Sequence, residues 1–127
     1  MKKIKTSLLF ALAVSLFLIS CKKNGTGGKA DISATVTHHD HNIPYATIHI
    51  KYGAKESPGT NTSNYNAHIQ TDANGHADLS GLRYGDYYLY GTGFDSTILS
   101  PISGGGHLEI KWNQRKKTIA YTVQVTE

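Results

Sequence analysis

The sequence predicts an all-β domain, a seven-stranded β-sandwich that follows an N-terminal leader. Three observations point to it. Apolar and polar residues alternate through most of the chain after residue 30, and a period of two belongs to strands. Clusters of Gly, Asn, Asp, Ser and Pro punctuate the alternation at short intervals. No segment beyond the leader carries a helical period. Each such strand has one apolar face, and two sheets laid face to face cover both.

The leader comes first. Met1 to Lys5 holds three lysines, and an apolar run of 13 residues follows from Ser7 to Ile19. A basic start, a short apolar core and a small residue before the cut make a secretory signal peptide. The run falls short of the roughly 20 apolar residues that a membrane-spanning helix needs. Leu18-Ile19-Ser20-Cys21 resembles the lipobox of bacterial lipoproteins. That resemblance implies a signal peptide over residues 1–20, acyl chains such as palmitate on Cys21, and cleavage that leaves Cys21 first. Cys21 is the chain's one cysteine, so it has no internal disulfide partner. Several acyl chains on one residue anchor stably, where one holds only marginally. In lipoproteins of this kind an aspartate after the cysteine signals inner-membrane retention. Lys22 stands there instead, which implies the outer membrane. The plainer alternative is an ordinary signal peptide with a chance cysteine.

Removing residues 1–20 leaves 107 residues, with ten basic against nine acidic side chains. The basic balance of the full chain therefore belongs largely to the leader and gives no argument for nucleic acid. After Cys21, "KKNGTGGKA" holds no large apolar residue, so residues 21–30 read as the lipidated cysteine and a flexible tether. Nine extended residues reach about 30 Å. Residues 31–127 then form one domain, large enough to bury a core without disulfides.

Seven segments supply the strands. "DISATVT" sets Ile32, Ala34 and Val36 on one face, and "YATIHIKY" does the same with Ala46, Ile48, Ile50 and Tyr52. "YNAHIQT" puts Tyr65, Ala67, Ile69 and Thr71 on one side and His68 and Gln70 on the other. "GHADL" offers Ala77 and Leu79, and "DYYLYGTGF" offers Tyr87 and Leu89 inward, Tyr88 and Tyr90 outward. "HLEIKW" aligns Leu108, Ile110 and Trp112, and "TIAYTVQVT" aligns Ile119, Tyr121, Val123 and Val125. Asp72 with Asn74-Gly75, and Gly81 with Gly85, mark tight connections. "SPGTNTSN" and "SPISGGG" read as longer loops.

"ATVTHHDHNIPYATIHI" followed by "TDANGHADLSGLRYGDYYLYGTGFD" resembles the carboxypeptidase regulatory-like domain and its kin, the Cna protein B-type and transthyretin-like (prealbumin-like) folds. Pro44, Ala46 and Ile48 match its first motif. Thr71, Asp72, Gly75, Leu79, Leu82, Gly85, Tyr87 and Leu89 match the second. The resemblance covers residues 31–127 and implies a transthyretin-like seven-stranded sandwich. Such domains serve as stalks, plugs, adhesin modules and accessory domains, so the fold does not fix an activity. Tyr45 stands where the family commonly has a small residue or glycine, a departure that bears on the local turn.

Three of the seven histidines fall in "HHDH", His38 to His41. If each connection reverses direction, the connections His38–Ile43, Asp72–Gly75 and Gly91–Gly106 share one end of the sandwich. His38, His39, His41, His76 and His107 then gather at that pole, opposite the entering N-terminus and away from the membrane. Neutral imidazoles converging with Asp40, Asp72 or Asp95 suit zinc, copper or nickel. The plain alternative is a solvated turn, with Asp40 and Asn42 as turn residues. Neighbouring side chains in an extended segment point opposite ways, which leaves His39 and His41 as natural partners. His49 and His68 lie mid-strand on outward faces and read as surface residues.

Catalysis finds no support in the residues. There is no Gly-x-Ser-x-Gly elbow and no visible nucleophile-and-base arrangement. Transthyretin-like hydrolases, which this sandwich resembles, use a histidine and arginine set and a Tyr-Arg-Gly-Ser tail, whereas this chain ends "YTVQVTE". Some Cna protein B-type domains carry an internal Lys–Asn isopeptide bond. "DISATVT" has no lysine and "TIAYTVQVT" no asparagine to make one. Tyr45, Tyr84, Tyr88 and Tyr90 are candidates for outward contacts, since tyrosine supplies area at low entropic cost. Tyrosine is also simply a good strand residue. "NQRKKT", residues 113–118, reads as a basic hairpin tip at the lipid-proximal pole, either solvated or touching anionic lipid.

The expectation is a lipid-anchored cell-envelope protein of the outer membrane. It presents a non-catalytic interaction or structural sandwich to an envelope protein or glycan. It is expected to have no catalytic residues, no resident cofactor and no nucleic-acid partner. The alternative is a zinc- or copper-binding lipoprotein whose metal ligands come from His38, His39, His41, His76 and His107.

Overall fold

The computed structural model describes residues 22–127, and the expected leader and Cys21 lie outside the described residues. The described chain is all-β. Its strands are β1 (Thr26–His38), β2 (His41–Asn42), β3 (Thr47–Tyr52), β4 (Ala67–Gln70), β5 (His76–Leu82), β6 (Gly85–Asp95), β7 (Ser100–Ile110) and β8 (Thr118–Gln124). Single 3₁₀ turns at Thr62–Asn64 and Trp112–Gln114 interrupt the longer connections.

Two four-stranded sheets face each other. In the first, β1 is central: β8 runs parallel along one edge, and β5 and then β2 pair antiparallel along the other. The second is antiparallel in the order β4-β3-β6-β7. The alternation read from the sequence is what builds the core. Ile32, Ala34 and Val36 of β1 share it with Ile48 and Ile50 of β3, Tyr87 and Leu89 of β6, Ile110 of β7 and Val123 of β8. Each fully buried large apolar side chain stabilises by roughly 1.5–3 kcal/mol over leaving it in water.

The strand count is eight, not seven. The extra strand is β2, the two-residue return arm of a hairpin at "HHDH". Two other stretches differ from expectation. β1 begins at Thr26, inside the segment read as a tether. The Asn24 N–H donates to the Tyr84 carbonyl (2.9 Å), and Gly25 N–H donates to the buried Tyr87 hydroxyl (2.9 Å). Gly28 permits this docking, because a Cβ there would overlap the Leu82 carbonyl. Glycines that suggest a linker here provide close approach between backbones.

The second difference is "SPISGGG", which is strand throughout and belongs to β7. A Cβ on Gly104 would lie 2.5 Å from the Gln124 carbonyl oxygen and 3.0 Å from Val125 Cα. The tail after β8 crosses there, and Ser103 and Thr126 exchange two backbone hydrogen bonds of 2.9 Å. The glycines clear a seam through which one sheet closes onto the other. As a result the β6–β7 connection is a short turn over residues 96–99 rather than a long loop.

Candidate functional site

"HHDH" is a two-residue hairpin. His38 and His41 are paired across it, and His39 (φ 46°) and Asp40 (φ 65°) form its tip. Positive φ at both central positions is the type I′ turn, whose twist suits a hairpin. Aspartate and histidine enter the left-handed region more readily than most residues.

Strand parity then decides where the chemistry goes. His38 continues the inward row Ile32, Ala34, Val36 along β1, and Asp95 continues the inward row Tyr87, Leu89, Gly91 along β6. One polar group from each sheet thus arrives at the same end of the core. His38 is 2% exposed and Asp95 1%. His38 Nδ1 donates to Asp95 Oδ2 at 2.7 Å, and His41 Nε2 donates to the same oxygen at 2.9 Å. Asp95 Oδ1 accepts the Thr97 N–H (2.9 Å) and hydroxyl (2.6 Å).

These contacts shift the acidities of Asp95, His38 and Glu127. The Thr97 hydroxyl and the His38 imidazole hold the Asp95 carboxyl far below the usual carboxylate range, against the cost of its desolvation. The hydrogen bond to Asp95 raises His38 above the ordinary imidazole value. Burial opposes that rise, and Glu127, 3.4 Å from His38 Nε2, reinforces it. The Glu127 carboxyl is lowered by its own backbone N–H and by His38.

The five histidines of the expected pole do not all meet. His38 and His41 converge on Asp95, while His39, at the exposed tip, reaches Glu127 (3.5 Å) and the His38 ring (centroids 4.0 Å) but not Asp95. His76 pairs with Asp78 (2.9 Å), and His107 pairs with Asp86 (2.8 Å) near the opposite end. The cause for His107 is the glycine segment. Because β7 starts at Ser100, His107 lies seven residues along the strand, about 23 Å from the turn. Asp72 is not a pole ligand either. Its Oδ1 accepts the N–H groups of His76 (3.0 Å) and Asn74 (2.8 Å), which lower its carboxyl and stabilise its own turn. Glu127 was missed: it follows the last strand, and only the parallel pairing of β8 with β1 carries it to His38.

Chemically the pole can do one of two things. His38, His41 and Asp95 each offer a ligand atom within 4.8 Å of the others, and so do His38, His39 and Glu127, close enough for either trio to share one transition-metal ion. Glu127 on the other His38 nitrogen is the kind of outer partner that orients a metal-bound histidine. Protonated, the same atoms make a closed hydrogen-bonded clasp between the two sheets.

A second feature lies on the outer face of the β4-β3-β6-β7 sheet. Tyr65 stacks on Tyr90 with ring centroids 5.7 Å apart, and His49 lies about equally near Tyr65 (5.9 Å), His68 (6.0 Å) and Tyr90 (6.2 Å). Desolvation and then the neighbouring His68 lower the His49 pKa. Tyr65 was expected inward. It precedes β4 and follows a 3₁₀ turn, which breaks the period-two phase and turns the ring outward.

Comparison with protein-family models and with curated proteins gives no match. Among solved structures the chain is similar to BcpA, the major pilin subunit of Bacillus cereus, at 17% identity and a TM-score of 0.50, over 82% of this chain and 30% of that one. An aspartate-to-alanine variant of the same pilin gives 17% identity and a TM-score of 0.52, over 79% of this chain and 30% of that one. PA1324 from Pseudomonas aeruginosa, proposed to bind carbohydrate, gives 15% identity and a TM-score of 0.46, over 78% of this chain and 91% of that one. The chain thus spans less than a third of the pilin's length. The pilin likeness concerns the sandwich fold alone.

Proposed function

We propose that the chain is a cell-envelope lipoprotein, anchored in the outer membrane through Cys21. It presents a non-catalytic binding or structural module of the carboxypeptidase regulatory-like, transthyretin-like kind. The observation that carries this is the run of β1. It starts at Thr26, five residues after the proposed anchor, and ends at His38. Thirteen extended residues make a rigid span of roughly 40 Å, so the histidine pole stands well clear of the attachment point. The Tyr65–Tyr90 face runs along the side of that span and offers aromatic area to an envelope protein or glycan. A mass spectrum of the cell-derived protein tests the anchor. The expected species begins at an acylated Cys21, and an unmodified Cys21 would refute the reading.

A second reading is favoured by one cluster. His38, His41 and Asp95 would hold a zinc or copper ion, with a coordination position left open. Calorimetric titration with Zn²⁺ and Cu²⁺ then gives heat at about one ion per chain. That heat is lost in His41→Ala and kept in His39→Ala, because His41, unlike His39, contacts the Asp95 oxygen that His38 also bonds. Loss in His39→Ala instead would assign the ion to His38, His39 and Glu127. Absence of binding at micromolar metal leaves the clasp as the pole's whole role.

A further inference from the structure

The end of the sandwich where the chain enters carries a pocket of about 430 Å³. Lys22, Lys29, Arg83, Arg115 and Lys116 line it, together with the rings of Tyr84 and Trp112, and no carboxylate does. Every ion pair among the described residues is made by a histidine, so none of these five cations has an acidic partner among the described residues. Like charges gathered without a counter-charge repel one another, and an anion in their midst relieves that.

The pocket is also shaped. Trp112, 60% exposed, meets Tyr84 edge-on at 4.9 Å. The Arg115 guanidinium lies 4.0 Å above the indole centroid and donates to the Trp112 carbonyl at 2.8 Å. The Arg83 guanidinium occupies the space that a Cβ on Gly27 would take, 2.7 Å from that point. An exposed aromatic shelf beside two guanidinium groups, one of them held by Trp112, suits a ligand with a phosphate on one side and an apolar part on the other.

Position names the source of that ligand. Lys22 lines the pocket and is the residue next to Cys21. We infer that this pole is a receptor for the phosphodiester headgroup of an anionic phospholipid, seated against the membrane that holds Cys21. The orientation rests on the anchor proposed above, whereas the headgroup chemistry rests on the pocket alone. In this arrangement Trp112 and Tyr84 sit at headgroup depth, where amphipathic rings partition. Each basic side chain near an anionic surface adds to the attraction, which falls off within a Debye length. The basic pole thereby holds the sandwich upright and the histidine pole outward.

Trp112 is the chain's one tryptophan, so its fluorescence reports on this pocket directly. The full chain is held in neutral maltoside micelles and titrated with phosphatidylglycerol, phosphatidylcholine or inorganic phosphate. The micelle holds the chain whether or not Cys21 is acylated, so failure of the anchor reading leaves this titration intact. The expected result is a saturable Trp112 shift with phosphatidylglycerol, about tenfold weaker in Arg83→Ala and weakened by added salt. Equal shifts with phosphatidylcholine would reduce the effect to apolar adsorption and overturn the proposal. An equal response to inorganic phosphate would make the site one for free anions and overturn it as well. So would a titration with no shift, or one that Arg83→Ala leaves unchanged while the variant keeps its wild-type thermal midpoint.

Discussion

The two ends of the sandwich treat charge in opposite ways. At the histidine end, Asp95 and His38 are buried and bonded to each other, and His41, Thr97 and Glu127 complete the set. At the entering end, five cations line an open pocket and none is paired among the described residues. The difference follows from where each group sits in the alternation. Asp95 and His38 hold inward positions on strands, so folding strips their water and a partner must replace it. Lys29 points outward from β1 and the other four cations lie outside the strands, so none of the five is buried and none is forced to take an acidic partner. The backbone shows the same contrast. Of the non-glycine residues with positive φ, His39, Asp40, Tyr45 and Leu99 lie in turns at the histidine end, and only Asn24 at the other.

The sharpest way to break this comparison is Asp95→Ala. It leaves a buried imidazole without its acceptor and strips the Thr97 N–H and hydroxyl of theirs. Removing one partner from a buried charged pair costs about 3–5 kcal/mol. Urea denaturation should show a loss of that size. A loss below about 1 kcal/mol would place the pole among surface pairs.

Acidity probes the same clasp more gently. The folded pKa of Asp95 is depressed, so its contribution is complete above the unfolded value of about 4 and is lost as pH falls toward the folded one. The folded pKa of His38 is raised, so its contribution is complete below the unfolded value of about 6.5 and drains away as pH rises through the folded one. The thermal midpoint should therefore peak between about pH 4.5 and 6.5. In His38→Gln the alkaline decline should flatten. An unchanged alkaline limb in that variant would assign the decline to other groups.

Much of the fold was legible because burial obeys parity. Ile32, Ala34, Val36, Ile48, Ile50, Tyr87 and Leu89 all lie in the core, as alternation requires. The same rule, carried one step further along β1 and β6, would have singled out His38 and Asp95. Adjacent histidines instead drew attention to His39 and His41, whose separation of two counts only while a strand continues. The tight turn puts His38 opposite His41. Glycine was the other obstacle. In Gly27-Gly28 and Gly104 to Gly106 it signals flexibility by composition, yet here its missing side chain lets backbones meet at Gly28, Gly104 and Gly105 and makes room for the Arg83 guanidinium at Gly27 and the Tyr121 hydroxyl at Gly106. Composition cannot tell those two uses apart, because the neighbour that needs the space is remote in sequence.

Tyr45→Gly is a smaller test, and its sign is opposite. Tyr45 has φ 55° and is 63% exposed, so its ring adds little burial while its Cβ strains the turn. Releasing a left-handed non-glycine recovers about 1 kcal/mol or more, and the extra freedom of glycine in the unfolded chain takes back about half of it. The midpoint should rise by a degree or a few. A fall would mean that the ring makes a contact worth more than the strain.

The smallest expected effect sharpens the comparison most. Lys29→Ala with Lys116→Ala removes two of the five unpaired cations. Surface substitutions with no partner to lose stay within about 0.5 kcal/mol of wild type. Relief of repulsion inside the pocket should push the change toward stabilisation, most visibly at low salt, and added salt should close the gap. The measurement is the urea midpoint of variant and wild type at low and high ionic strength. A loss above about 1 kcal/mol would mean that these lysines hold the fold together, and the contrast between a paired end and an unpaired one would fail.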